Sequence, residues 1–463
     1  MIKAIISNLE DYIENCLKWI VKPSSEKESS EKESSIVESL KSINLEIIAK
    51  GSDKISGSSL YLEVDLEGDL REFDQEKIGQ LLSDFLLNLE KLSGKINIFT
   101  KLDIDMSLVF NGLVLSYWSL DLYRKNTLSK INFSIELNES ENINLRKILK
   151  TTKAVLVSRY LSLMAANDLN IETYKTFIEE LFKDSDVSLE ILDYETLKEK
   201  NLNLICAVGQ AGEHLPKIIV LKKGKNPKLA LVGKGIMYDT GGLSLKPTDN
   251  MMEMYYDMTG SAVVVGTFFG MIEKDIECYG VLALAENSID SKSYRPGDIF
   301  STAIGKTVEI GNTDAEGRLI LADACYYIAK EKNVEEIICL ATLTGAAQVA
   351  LGSEYAALLT SHDKSRLEES WTKTGDKIHG LPFDDSYIKY LKSSRADLNN
   401  ISSKGAGTIT AWKFIETLIP KSVKFYGIDL AASLEKKDLK RSEIISNCLC
   451  VRSLIYYVNS FTK

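Results

Sequence analysis

Histidine is nearly missing from this chain: 463 residues contain three, His214, His362 and His379, and no two of them make an HExxH spacing. That argues against histidine-based zinc hydrolysis, and each is expected to pack or to sit at the surface. No GxSxG elbow and no Cys/His pairing at recognisable spacing offers a serine or cysteine nucleophile, which leaves bound water. The seven cysteines are scattered, odd in number and free of any CxxC pair, so reduced and mostly buried thiols are expected. No apolar run approaches the roughly 20 residues of a membrane span. The N-terminus brings Glu10, Asp11 and Glu14 early and lacks a signal-peptide pattern, so a cytoplasmic protein without a membrane partner is expected. Positive charge is in deficit as well: 56 Lys and Arg against 66 Asp and Glu give a net charge of −10, a poor basis for nonspecific nucleic-acid binding.

What remains is globular material, 44% hydrophobic and 26% charged, in a chain long for one core. Two domains are expected: an N-terminal α/β domain over 1–146, a linker helix over 147–167, and a larger α/β domain over 168–463. In the first, residues 24–35 (SSEKESSEKESS) read as a solvated loop, 60–66 alternate as a strand, and 78–92 have helical spacing. In the second, short apolar runs at 187–192, 204–208, 217–221, 229–232, 280–285, 337–341 and 425–430 read as strands, with helices such as 260–271 and 318–330 between them. Near-continuous apolar strands separated by helices predict a mainly parallel central sheet covered on both faces. In such sheets, ligands gather at the carboxyl ends of the strands.

The chemistry-bearing residues fall in loops at such ends. The stretch NTDAEGRL at 312–319 holds two carboxylates and a guanidinium within five residues. In an extended backbone, residues two apart point to one side, so Asp314 and Glu316 can converge on a hard divalent cation. The plain alternative is a charged surface turn ahead of a helix. Upstream, the loop 233–247 (GKGIMYDTGGLSLKP) follows the strand at 229–232 and carries Lys234, Asp239 and Lys246. Its spacing matches neither GxxxxGK[ST] nor GxGxxG, so it is not read as a phosphate loop. Asp257, in EMYYDM at 253–258, precedes the helix at 260–271 and could be a simple cap. Four carboxylates that converge in a partly desolvated site repel one another unless cations join them, and two divalent ions about 3.5 to 4 Å apart would do so.

These motifs, with YRPGD at 294–298, ATLTGA at 341–346 and GTITA at 407–411, resemble those of the leucyl aminopeptidase (cytosol aminopeptidase) family over roughly 187–430. The resemblance implies an exopeptidase that removes N-terminal, preferentially Leu- or Met-like, residues from peptides. It implies two divalent metal ions per subunit, Mn or Zn, with Mg or Co as alternatives. Lys234, Asp239, Asp257 and Glu316 would hold the tighter ion, and Asp239, Asp314 and Glu316 the more exchangeable one. Lys246 would polarise the scissile carbonyl, and Arg318 would hold a bicarbonate acting as general base. Met254, Thr342, Leu343, Gly345, Ala431 and Leu434 would line the substrate pocket, and the assembly would be a homohexamer, a dimer of trimers. A DNA-binding architectural role, known for some relatives, needs a basic groove; a catalytically silent scaffold is disfavoured because every ligand residue type is present. Two departures stand out: the histidine usual just before the Asp429 region is Gly427 here, and the usual Thr-Gly-Arg-Pro stretch gives way to 446–452 (SNCLCVR).

Overall fold

In the computed structural model the described residues are 139–431 and 450–461, with 434–436, 444–446, 108, 111–112, 114–115 and the strands β1 to β6 named next. The chain divides into two units, Met1–Lys153 and Ala154–Lys463. The first holds a six-stranded sheet in the order β1-β6-β5-β4-β3-β2. Its strands are β1 (Ile20–Val21), β2 (Ser35–Leu40), β3 (Leu45–Lys50), β4 (Ser59–Asp65), β5 (Lys95–Ile98) and β6 (Asn132–Glu136). The strand expected at 60–66 is β4. The helix expected at 78–92 and residues 24–34 of the Ser/Glu/Lys loop lie outside the described residues. The helix expected at 147–167 runs over Glu139–Leu163 instead (α1). Beyond its end Asp168 and Leu169 turn back onto the Ala165 carbonyl, and Asn170 caps the next helix, α2 (Ile171–Phe182), in a capping box with Thr173.

The second unit is built on an eight-stranded sheet in the order β15-β14-β17-β13-β9-β10-β8-β7. Along the chain these are β7 (Ser188–Leu192), β8 (Lys217–Lys223), β9 (Leu229–Asp239), β10 (Cys278–Asn287), β13 (Glu336–Ala341), β14 (Ala356–Leu359), β15 (Ile378–Gly380) and β17 (Lys424–Asp429). Between them β11 (Ile299–Ser301), β12 (Thr307–Glu309) and β16 (Leu398–Asn399) form a small sheet of their own. The helices that follow α2 are α3 (Tyr194–Glu199), α4 (Asn203–Gly209), α5 (Thr248–Met251), α6 (Thr259–Gly270), α7 (Glu316–Lys332), α8 (Gly345–Leu351), α9 (Ser365–Thr374), α10 (Gly407–Thr417) and α11 (Val451–Phe461). The parallel part is the centre, β17-β13-β9-β10; β8 and β14 flank it antiparallel, and β7 is antiparallel to β8.

The sequence pattern explains the layering. Every residue of β13 is buried, and so is all of β9 except Tyr238, whereas the edge strand β7 alternates. Strands buried on both faces need helices on both. One set of alternate residues, including Ile218, Val220, Ala230, Val232, Val281, Ala283, Ile337 and Cys339, joins one core with α4, α7 and α10. The other set meets α6, whose approach is set by glycine: a Cβ on Gly260 would lie 2.2 Å from the Leu340 carbonyl oxygen.

One expected strand is a helix. Residues 204–208 belong to α4, and all of Leu204–Gly209 is buried, so no amphipathic stripe betrays the helical period. Its N-terminus is held by a distant residue: Asp323 Oδ2, on α7, accepts from the amides of Leu204 (2.8 Å) and Ile205 (2.9 Å). Burial pushes the Asp323 carboxyl up to about 7 despite those two donors. The five described cysteines, Cys206, Cys278, Cys325, Cys339 and Cys450, are buried, as expected. Gly427 lies under the Trp412 ring, with three indole carbons 2.3 to 2.9 Å from where a Cβ would stand. Trp412, itself fully buried, occupies the space a side chain at 427 would need. No helix among the described residues is long and apolar enough to cross a membrane.

Candidate active site

All four central parallel strands deliver residues to one edge of the sheet. Asp239 ends β9, Asn287 ends β10, Thr342 to Gly345 follow β13, and Ala431 follows β17. Because the chain passes from β9 to β10 on one side and later to β13 on the other, the strand order reverses here, and a crevice opens where it does. Two helix N-termini face the same edge. Asp257 stands two residues before α6, and Glu316 is the first residue of α7. Both carboxylates gain from the positive end of a helix dipole.

The cavity between these elements measures about 420 Å³ and is lined by Lys234, Asp239, Lys246, Met254, Asp257, Asp314, Glu316, Thr342, Leu343, Gly345 and Ala431, together with Asp249, Asn250, Glu253, Tyr256, Thr344 and Gln348. Eleven of the thirteen residues singled out in the sequence are therefore on its wall. Arg318 is not: it is half-buried, and its Nη1 donates to the Asn400 carbonyl at 2.7 Å. Among the described ion pairs none involves Arg318. Leu434 lies in the strand Leu434–Lys436, of which only the backbone is described. None of the three histidines lines the cavity.

Two lysines neutralise the acids. Lys234 Nζ lies 2.6 Å from Asp257 Oδ2 and 2.9 Å from Glu316 Oε1, and donates to the Thr342 carbonyl at 3.1 Å. Lys246 Nζ lies 2.8 Å from Asp239 Oδ2 and 2.5 Å from Asp314 Oδ1. For both amines burial opposes the charge, but the surrounding carboxylates outweigh it and hold them protonated well above the ordinary lysine range. The acids show the strain of the crowding. Burial, with Glu316 and Asp239 adding and Lys234 opposing, pushes Asp257 up to about 8; burial and the same two neighbours push Asp314 up to about 6. Burial also raises Asp239. Glu316 alone falls, because Lys234 and Lys246 overcome its burial.

Local structure fixes these groups. Asp239 Oδ1 accepts from the Gly241 amide at 2.8 Å, in a turn where Gly241 and Gly242 both take positive φ. Asn287 Nδ2 donates to Asp239 Oδ1 at 2.8 Å and to the Thr313 carbonyl at 3.0 Å, and Tyr294 donates to that carbonyl at 2.6 Å. Thr342 Oγ1 donates to Asp257 Oδ1 at 2.7 Å. Asn287 was not singled out in the sequence. A polar residue closing the apolar run VLALAE was the available signal.

The donor set fits a divalent cation. Asp239, Asp314 and Glu316 bring one carboxylate oxygen each within 4.8 Å of one another, and Glu316 Oε2 is buried with no hydrogen-bond partner. A buried acceptor-only oxygen beside other carboxylates is what a hard metal ion satisfies.

An α/β unit that gathers carboxylates and lysines at a strand-order reversal is of the class that binds a ligand at the carboxyl ends of its strands, and its acids suit a divalent cation. The comparisons give the particular class. The chain belongs to the cytosol aminopeptidase family, whose catalytic domain matches residues 156–455. It is 34% identical over 401 residues to a probable cytosol aminopeptidase of Rickettsia canadensis, covering 81% of this chain and 80% of that one. Against a probable cytosol aminopeptidase of Clostridium perfringens it is 33% identical, covering 80% of each. The crystal structure of cytosol aminopeptidase from Coxiella burnetii superposes with a TM-score of 0.75 at 30% identity over 86% of each chain. The fold is shared as well with the bottromycin maturation enzyme BotP in complex with Mn, at a TM-score of 0.78 and 24% identity over 90% and 93%. The chain is thus a metal-dependent aminopeptidase, a hydrolase acting on peptides.

Gly317 gives a direct test of how tightly Lys234 is placed. A Cβ there would lie 2.6 Å from Lys234 Cε and 2.8 Å from Nζ, and the amine, tied to two carboxylates and a carbonyl, has nowhere to move. Gly317→Ala is expected to lower kcat/KM on a leucine amide by about 100-fold, the cost of an ångström-scale misplacement. The melting temperature should move little, because alanine favours the helix by about 1 kcal/mol. Near-parental turnover would show that Lys234 tolerates displacement.

Proposed function

We propose that the chain releases apolar, Leu- or Met-like, N-terminal residues from peptides at the cavity described above, in the unit Ala154–Lys463, with two divalent ions in the carboxylate cluster. The observation that carries this reading is the joint convergence of Asp239, Asp314 and Glu316 with an unpartnered Glu316 oxygen. Lys234, Asp239, Asp257 and Glu316 would hold one ion, and Asp239, Asp314 and Glu316 the other, with Mn supported by the neighbouring BotP complex and Zn, Mg and Co as alternatives. When bound, such ions supply Lewis acidity toward a carbonyl and a water acidified to neutral pH. Lys234 would ligate only as the free amine, having given up its proton. Lys246, at the cavity wall between Asp239 and Asp314, would keep its proton and donate to the scissile carbonyl oxygen as negative charge develops there. Met254, Leu343, Gly345 and Ala431 offer the side chain of the first residue a largely apolar wall, and Leu434 completes it in this reading. The family also suggests a cytosolic homohexamer.

Asp257→Asn and Glu316→Gln remove one ligand charge each at nearly constant volume. Both are expected to lower turnover of a leucine amide by at least about 1,000-fold and to reduce bound metal measured on the purified protein, with the circular dichroism unchanged. Parental turnover in Mn-replete buffer would refute the ligand assignment.

Apolar walls disfavour a charged side chain by a few kcal/mol. Amides of Leu and Met should therefore be cleaved about 100-fold faster than that of Asp, and a faster Asp amide would overturn the preference.

Arg318 is assigned to a bicarbonate that takes part in proton transfer. Its guanidinium feels Glu316 and Asp429 but is in none of the described ion pairs, its Nε is buried without a partner, and the α7 N-terminus beside it favours an anion. Turnover in degassed buffer should rise on adding bicarbonate for the parent and stay flat for Arg318→Ala. Equal turnover in all four conditions would leave Arg318 a structural role through Asn400.

A further inference from the structure

Asp429 is fully buried, does not line the cavity, and is joined in no ion pair among the described residues. It is nevertheless surrounded by donors. Oδ1 accepts from the amides of Leu343 (3.2 Å), Thr344 (3.4 Å) and Ala431 (3.2 Å). Oδ2 accepts from Thr344 Oγ1 (2.8 Å) and from the indole Trp412 Nε1 (3.2 Å). Burial raises its carboxyl, and the Thr344 hydroxyl, the Ala431 and Leu343 amides and the Trp412 indole work against that.

Three of the four residues that donate, Leu343, Thr344 and Ala431, form part of the cavity wall. They come from two separate loops, one after β13 and one after β17, so a single carboxylate spans two walls of the pocket. The loop after β13 begins with Thr342, whose hydroxyl donates to Asp257 and whose carbonyl accepts from Lys234. Thr344 also caps α8 through the Ala347 amide and meets Thr408 at 2.8 Å. The fifth donor arrives by a different route. Trp412 lies over Gly427, in space that any side chain at 427 would fill, and from there its N–H reaches Asp429 Oδ2. Arg318 is near enough for its charge to be felt by Asp429, though not in an ion pair. A buried carboxylate is costly, and retaining one outside any described ion pair is justified where several donors must be held at once in fixed geometry.

We infer that Asp429, held by Trp412 over Gly427, is a positioning residue that sets the two loops forming the substrate side of the cavity, and so sets how well the first side chain of the peptide fits. The inference rests on the proposed role of that cavity as the substrate pocket. It predicts an effect on binding and discrimination, with little effect on metal or on the chemical step.

Asp429→Asn keeps an acceptor for the three amides but turns an N–H toward Trp412 Nε1. Trp412→Phe removes the indole donor alone, at a site that does not line the cavity. For both, KM for a leucine amide should rise about tenfold and the preference for Leu over Ala amide should fall about fivefold, while kcat stays within about twofold and metal content is parental. Should Asp429→Asn not fold, Trp412→Phe decides alone. Parental KM and parental Leu/Ala preference in folded Trp412→Phe would overturn the inference, as would a fall in kcat that follows loss of metal with KM unchanged. A parent protein that is inactive on leucine amide in Mn-replete buffer would instead sink the reading of the cavity as a substrate pocket, and this inference with it.

Discussion

Carboxylates of like charge do not gather in a low-dielectric pocket unless something positive gathers with them, and this site is organised by that constraint. Asp239, Asp257, Asp314 and Glu316 meet Lys234 and Lys246, and the two amines divide the acids into pairs. The balance is incomplete. Asp257 and Asp314 are pushed to about 8 and about 6, and one Glu316 oxygen has no partner. A pocket with more acid than its lysines can neutralise is receptive to divalent cations, and the same excess explains why helix dipoles, a buried asparagine and a tight glycine turn are all aimed at these few oxygens.

The sheet makes the gathering possible. Parallel neighbours β17, β13, β9 and β10 end on the same edge, so residues far apart in sequence arrive together without long loops. The acidic segments come from β9 and from the starts of α6 and α7. The opposite wall comes from the ends of β13 and β17. The close approach of α6 to β9 and β13, possible because Gly233 and Gly260 carry no side chains, brings Asp257 within reach of Lys234.

Much of this was legible in the sequence, for physical reasons that differ by element. Central strands announce themselves because burial on both faces demands unbroken apolar runs, as in Leu229–Asp239 and Cys278–Asn287. The carboxylates and lysines were legible because their chemistry needs those residue types at loop positions. Leu204–Gly209 was not, since a helix buried all round has no polar face, and its cap, Asp323, is more than a hundred residues away. Asn287 and Asp429 escaped for the same reason: their importance lies in partners that only the folded chain brings near. Arg318, read as part of a compact charged stretch, is not on the cavity wall and donates to the Asn400 carbonyl, since a residue two positions after Glu316 on α7 does not share its face.

The contact of Trp412 with Gly427 also bears on how this sequence can diverge from its relatives. A ring carbon stands 2.3 Å from where a Cβ at 427 would be, so no residue larger than glycine enters while the indole remains. Shrinking the indole first leaves a void in a fully buried layer and strips a donor from Asp429. The two positions are therefore epistatic, with neither substitution neutral in the background of the other's present residue. Any side chain at 427 and the indole at 412 compete for one space, so a change at 427 requires Trp412 to shrink or shift with it.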